Sequence, residues 1–294
     1  MANAEKPLPA IIVSKSGHFM KISILIDNSP HPENDSMLTE HGLSIYFEID
    51  GCKWMVDCGA SGKFLANAEI LGIDLHDVDY LLLSHAHADH TGGLGHFLQI
   101  NAKATVVLSS HIKESCNYFS TRGGSKRNIG IDFSVVNENR DRFQFIGKNT
   151  RLTKNLSLIT AIAHKQPQPK GNATLLNGNS PDDFLHETAF AIDTPDGAII
   201  ISSCCHHGLL NTLKASGKTV IKAYFGGTHL LDCTSTLNFE TEKDIVDIAR
   251  SVRKEYPEMK IITGHCTGKA AAATFKTVLE EKFHVFHTGQ ILDV

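Results

Sequence analysis

Residues 84–93 read Ser-His-Ala-His-Ala-Asp-His-Thr-Gly-Gly and follow the apolar run Tyr80-Leu81-Leu82-Leu83. His85, His87, Asp89 and His90 therefore lie within six residues of one another. Imidazole suits zinc, iron and nickel, and a carboxylate beside it suits a hard divalent ion. Four such side chains in so short a segment cannot all point into a core. The chain must instead bring a buried strand to an end at Ser84 and turn outward. Thr91-Gly92-Gly93 then opens a helix with Leu94, Phe97 and Leu98 on one face. A loop between a strand end and a helix start is where α/β folds gather their sites. His85 and His87, at alternate positions, can face one ion. Asp89 and His90 then face a neighbouring position, which reads as the paired arrangement of two-metal hydrolysis.

Three further segments have the same form, an apolar strand that ends in polar residues. They are Val56-Asp57-Cys58-Gly59, Ile199-Ile200-Ile201-Ser202-Ser203-Cys204-Cys205-His206, and Ile261-Ile262-Thr263-Gly264-His265-Cys266-Thr267-Gly268. With the His-x-His-x-Asp-His motif, in this order, they resemble the metallo-β-lactamase superfamily over roughly residues 20–290. A narrower resemblance rests on Cys204-Cys205-His206-His207-Gly208, Gly226-Gly227-Thr228-His229-Leu230 and Gly264-His265-Cys266-Thr267-Gly268. It is to the branch that contains the archaeal dihydropterin-6-methyl-(ribofuranosyl)aminobenzene phosphate synthases and many uncharacterised hydrolase-like relatives.

The resemblance implies an α/β fold, a four-layer αββα sandwich of two mixed sheets flanked by helices. It implies His85, His87, Asp89, His90, His206 and His265 as metal ligands, with a hydrogen-bonding role as the alternative for His206. It implies Asp89 and His229 as catalytic groups: Asp89 orients the nucleophile and takes its proton, and His229 donates to the leaving group or binds substrate. Asp57 is expected to hold ligand histidines, since metal-bound imidazoles commonly give their other N–H to a carboxylate. The implied cofactor is a divalent metal, zinc first, with iron or manganese as alternatives, one or two per chain.

The sequence departs from the superfamily in two places. Where most members carry a bridging aspartate, this chain has Cys204-Cys205. A thiolate there is a ligand or bridge once deprotonated, or a small buried residue with no chemical role. The superfamily's middle histidine is also not evident, and His164, His186 or Glu187 could complete a site. The flavin-linked diiron relatives replace the second histidine of the first motif by glutamate, whereas this chain keeps His87.

Bulk properties suit a soluble enzyme. Apolar content is 41%, charged content 20% and net charge −4, which gives no reason to expect nucleic acid or an anionic membrane as partner. Seven unevenly spaced cysteines imply no disulfide framework in a chain of 294 residues, and a reducing, cytoplasmic location is expected. No stretch has the apolar length of a signal or a membrane span. Residues 1–20 are read as an N-terminal extension and 21–294 as one domain.

Strands are expected at 21–27, 43–49, 53–56, 80–83, 105–108, 189–192, 198–201, 219–224 and 260–263. Helices are expected through Phe64–Leu71, from about 240 to 256, and through Ala272–Leu279. Residues 111–150 are polar and read as a loop or lid insertion, and 164–183 as a second long loop. As a lid, Arg122, Lys126 and Arg127 would favour an anionic substrate such as a phosphate. The expected activity is hydrolysis, by metal-bound hydroxide, of a small ester-like or phosphorylated compound. A pterin-pathway transferase and a non-catalytic metal-binding protein are the alternatives. No Gly-x-Ser-x-Gly element marks a serine nucleophile.

Overall fold

Strands that end in polar residues need their apolar bodies covered on both faces, and the computed structural model, which describes residues 20–294, shows how. One seven-stranded sheet runs Ile291–Asp293, Lys21–Ile26, Ser44–Ile49, Cys52–Val56, Tyr80–Leu82, Thr105–Ser109, Phe143–Ile146. A second runs Phe283–Val285, Lys260–Thr263, Ile221–Phe225, Gly197–Ile201, Ala189–Thr194, Leu156–Ile159, Thr150–Arg151. Their inner faces meet in one core that includes Ile24, Phe47, Trp54, Leu158, Phe190, Ile199 and Phe225. Alternation sends Leu25, Met55, Leu81 and Val106 to the other face of the first sheet, under helices Lys63–Ile70 and Leu94–Ile100. Ile200, Tyr224 and Ile261 face outward from the second sheet onto helices Leu209–Ala215, Glu242–Glu255 and Lys269–Leu279. The layers are therefore helix, sheet, sheet, helix. The expected N-terminal extension lies, but for Met20, outside the described residues.

The antiparallel start of the first sheet comes from a two-residue hairpin. Asp50 and Gly51 both have positive φ, 55° and 74°, the twist that a tight β-hairpin requires. From Cys52 onward the neighbours Tyr80–Leu82, Thr105–Ser109 and Phe143–Ile146 are parallel. In the second sheet Gly197–Ile201, Ile221–Phe225 and Lys260–Thr263 are parallel as well. Parallel strands deliver their carboxyl ends to a common edge. Asp57, His85, His206, His229 and His265 all follow such ends.

The two polar regions are more ordered than loops. Tyr118–Ser120 and Arg127–Asn128 pair with Leu175–Asn177 and Ser180–Pro181 in a small four-stranded sheet. Phe133–Glu138 is a helix, and Phe143–Ile146 is the edge strand of the first large sheet rather than part of an insertion. The small sheet is tied to the metal-motif loop by a bridge between His87 and Gly130 and by Ala88 N–H donating to Ile129 at 2.7 Å. Among the described residues no helix is long and apolar enough to cross a membrane.

Candidate metal centre

At the edge where the strands end, the backbone is bent sharply to present side chains. Asp57, Cys205, His229 and His265 all have positive φ, between 51° and 62°, in non-glycine residues. Such conformations are held only where the surroundings enforce them, and they cluster at functional sites. Here the enforcing groups are visible. Glu187 accepts the backbone N–H of His206 at 2.8 Å and of His207 at 2.9 Å, which closes the turn at Cys205. Asp27 accepts the N–H of His265 at 2.8 Å. Burial pushes the Glu187 carboxyl up to about 8, against these two N–H donors, which favour its charged form.

The hydrogen-bond network fixes the tautomer of four histidines. Ser84 gives its hydroxyl hydrogen to Asp57 Oδ2 at 2.7 Å, so it accepts from His85 Nδ1 at 2.8 Å. His90 Nδ1 donates to Asp57 Oδ2 at 2.8 Å. Asn172 gives its amide N–H to the His206 carbonyl, so its Oδ1 accepts from His206 Nδ1 at 3.0 Å. Asn28 acts on His265 in the same way, through its carbonyl and through Nδ1 at 3.1 Å. In each ring Nδ1 donates, which turns Nε2 toward the site; in the neutral ring that is the atom that binds a metal.

These lone pairs converge in two groups. Nε2 of His85, His87 and His206 are buried and have no hydrogen-bond partner, and the three residues' ligand atoms lie within 4.8 Å of one another. Beside them, His90 Nε2 and His265 Nε2 face each other at 3.0 Å. Asp89 Oδ2 is 3.6 Å from the first and 3.4 Å from the second. Cys204 Sγ is 3.2 Å from His90 Nε2 and shares further groupings with His85, with His206 and His229, and with His265 and Cys266. Two lone pairs 3.0 Å apart repel unless a proton is shared between them or a cation lies beside them. Burial alone would pull His265 down, yet Asp89, Cys266 and Asp27 push it up to about 9, so this half of the site favours positive charge. Burial holds His85 and His206 well below the usual histidine range and thus neutral. Orphaned nitrogens, a carboxylate and a thiol in this arrangement suit divalent-cation binding: His85, His87 and His206 form one group of donors, Asp89, His90 and His265 a second, and Cys204 adjoins both.

All six histidines and carboxylates expected as ligands thus meet at one edge. His229 joins them: its ring lies 4.2 Å from that of His206 between centroids. Arg122 Nη2 donates to His229 Nε2 at 3.3 Å, which leaves the ring proton on Nδ1, a buried atom without a partner. Of the three cationic residues expected over the site, only Arg122 reaches it. Lys126 is held by Gly178 and Asn179 at 2.7 Å each, and Arg127 is exposed on the small sheet.

His164, His186 and Glu187, each open as a further ligand from the sequence, have their polar atoms engaged by other groups. His186 accepts the Ala86 N–H on Nδ1 and donates from Nε2 to Asp182, so both nitrogens are used. His164 bonds His207 at 2.6 Å, and Glu187 is occupied by backbone. His186 fixes the His85–His87 loop through the Ala86 N–H, and Glu187 fixes the turn that carries His206. The sequence reading also passed over His41, whose Nε2 lies 3.4 Å from Asp89 Oδ2, and over Asn28, Asn172 and Asp182. Only Asp27-Asn28, at the end of an apolar strand, carried a signal of the kind used for Asp57.

Asp57 fixes His90 through Nδ1 and His85 through Ser84, and its other oxygen accepts the Ser84 N–H at 2.8 Å. Asp57→Asn has one accepting oxygen where the carboxylate has two, so either the Ser84 N–H or the pair of donors on Oδ2 meets an NH2 group. The expected result is a loss of about 10–100-fold in metal affinity, read by competition with a chromophoric chelator. Unchanged affinity would mean that Asp57 only shapes the turn.

Comparisons with known proteins bear on the family and the fold. The sequence profile of the metallo-β-lactamase superfamily matches residues 39–154. The chain is 28% identical over 280 residues to the 7,8-dihydropterin-6-methyl-4-(β-D-ribofuranosyl)-aminobenzene-5'-phosphate synthase of Methanocaldococcus jannaschii, covering 88% of this chain and 92% of that one. A shorter match, 39% identical over 108 residues, covers 34% of this chain and 44% of a metal-dependent hydrolase of Staphylococcus haemolyticus. The solved structure of Tm1679, a metal-dependent hydrolase of the β-lactamase superfamily, superposes with a TM-score of 0.77 at 26% identity, over 94% of this chain and 99% of the other.

Proposed function

We propose that this chain, which belongs to the metallo-β-lactamase superfamily, is a hydrolase that works with two divalent cations, zinc first, on a small anionic ester or phosphoester. The observation that supports this most is the inward convergence of four tautomer-locked imidazoles beside Asp89 and Cys204. A cation pair held there supplies Lewis acidity and a lowered pKa for water. The chain's own residues do the rest. Asp89 is held charged, well below the usual carboxylate range: burial raises it, but His90, His265 and His87 prevail. It can take a proton from the attacking water on Oδ2, and His41, more than half exposed, stands between that oxygen and solvent. His229 offers the proton on Nδ1 to a leaving group.

Arg122 gives the substrate its charge partner. Its guanidinium has a histidine ring rather than a carboxylate beside it, and its Nε is buried without a partner. Such a cation is available to an oxyanion. Arg122→Ala is expected to raise KM for a phosphoester roughly tenfold or more, by loss of a charge-assisted hydrogen bond, and to leave metal content unchanged. An equal KM would remove Arg122 from substrate binding. The seven cysteines are all free, which supports a reducing, cytoplasmic setting.

One other reading has its own support. Similarity to the archaeal synthase runs over most of both chains, so the same centre could serve a transferase in which an organic acceptor replaces water. Metal-loaded protein, assayed on nitrophenyl phosphomonoesters, phosphodiesters and carboxylic esters, separates the two. Turnover that chelation abolishes and zinc restores supports the hydrolase. Protein that holds its metal but is inert on every ester overturns it in favour of the transferase.

A further inference from the structure

Four of the free cysteines are buried: Cys58, Cys204, Cys205 and Cys266. Two of them pack as small apolar residues. Cys58 belongs to the core under the helices of the first sheet, and Cys205 to that under the helices of the second, where its Sγ meets Thr212 Oγ1 at 3.4 Å. Cys204 and Cys266, 3% and 6% exposed, belong to none of the three apolar cores. Their surroundings are polar instead. Cys204 Sγ lies 3.2 Å from His90 Nε2, and Cys266 Sγ faces the Cys204 carbonyl oxygen at 3.6 Å. The ligand atoms of Cys204, His265 and Cys266 all lie within 4.8 Å of one another. The topology has to make room for this meeting. Cys204 follows strand Gly197–Ile201, Cys266 follows strand Lys260–Thr263, and strand Ile221–Phe225 runs between them. Neighbouring strands lie about 4.8 Å apart, so side chains from the outer two meet only where the end of the middle one gives way. Gly226 and Gly227 stand at that end. A Cβ on Gly227 would overlap Cys266 Sγ and sit 2.8 Å from the Ser203 carbonyl oxygen, so glycine there keeps open the space in which the two thiols approach.

We infer that Cys266 is a metal ligand, and that with Cys204 and His265 it makes the second position of the centre a sulfur-bearing site for a soft cation such as zinc or cadmium. The inference rests on the two-cation reading above and refines it. The first position is built on three imidazoles, those of His85, His87 and His206. The second has two thiols beside His265, and Asp89 Oδ2 lies 3.4 Å from Nε2 of that ring. Thiolates select zinc and softer ions, whereas carboxylates and water suit magnesium and manganese. The two positions are thus chemically unequal. Each thiol gives its proton to solvent as it binds, and the charges so formed offset that of the cation in a buried site.

Cobalt(II) is the probe, added to the metal-free, full-length protein. Its visible ligand-field bands report binding by any donors, and a sulfur-to-cobalt charge-transfer band in the near ultraviolet reports thiolates alone. The wild type is expected to show both. Cys266→Ser is expected to keep the visible bands, through the imidazole donors, and to lower the charge-transfer band to about half or less, since one of two thiolates is gone. The double variant Cys204→Ser/Cys266→Ser is expected to lose that band. Cys233→Ser, which removes an exposed thiol, is expected to match the wild type. X-ray absorption of the zinc-loaded wild type needs no variant: at least two zinc–sulfur contacts per chain are expected, at about 2.3 Å. Visible bands without a charge-transfer band, an undiminished band in Cys266→Ser, or fewer zinc–sulfur contacts than these would overturn the assignment and leave the two-cation reading standing. No cobalt band of either kind in the wild type would overturn both.

Discussion

His87→Ala is expected to lower kcat/KM by about a thousandfold or more, while the protein stays folded. A thousandfold loss is about 4 kcal/mol of transition-state stabilisation, within the range for removing a dominant electrostatic group. His87 Nε2 is buried among His85 and His206 and makes no hydrogen bond. Its nearest acidic neighbour, Asp182 Oδ2, is 3.8 Å away and already accepts from His186 at 3.0 Å. Alanine therefore breaks no partnered side-chain bond at Nε2 but leaves one cation with two imidazoles instead of three. Paired measurements of turnover and of urea stability check this. A large stability loss with little effect on turnover would give His87 a structural role instead.

Trp54→Ala is expected to cost about 3–5 kcal/mol of stability, the usual range for emptying a large aromatic site. Trp54 is fully buried between the two sheets. It stacks on Tyr80 at 4.3 Å between centroids, from the neighbouring parallel strand, and lies opposite Phe47 on the antiparallel one. Sheets fixed at both edges by other pairings cannot close over the missing indole, so the cavity term adds to the lost burial. The change is read as a lower midpoint in urea at unchanged slope. A loss under about 1 kcal/mol would mean that the layers repack freely, contrary to a densely packed interior.

The large sheets and the first metal motif were legible because both depend on local pattern. Apolar runs such as Tyr80–Leu83 and Ile199–Ile201 are buried on both faces, and each stops at a polar residue at the same edge. His85 and His87 could be paired by their alternation alone. The small sheet was not legible, because its strands are two or three residues long and pair across the chain, Leu175 with Ser120 and Asn177 with Tyr118. Phe143–Ile146 was missed for a related reason: it is a half-buried edge strand in polar surroundings. Within the site, His186 and Glu187 looked like ligands because histidine and glutamate before a strand carry no sign of what they bind. The structure shows their atoms taken up by the N–H groups of Ala86, His206 and His207 and by Asp182. Asn172, which sets the tautomer of His206, comes from a turn remote in sequence, and nothing local marks it; Asn28, which does the same for His265, had only its place after an apolar strand to mark it.

The central claim is that one edge of the sandwich holds two cations on two distinct sets of ligands. Elemental analysis of the purified protein after zinc reconstitution tests it most directly, alongside His206→Ala and His265→Ala. Two metal ions per chain are expected in the wild type and about one in each variant. No metal in the reconstituted wild type, or two ions retained in both variants, would contradict it.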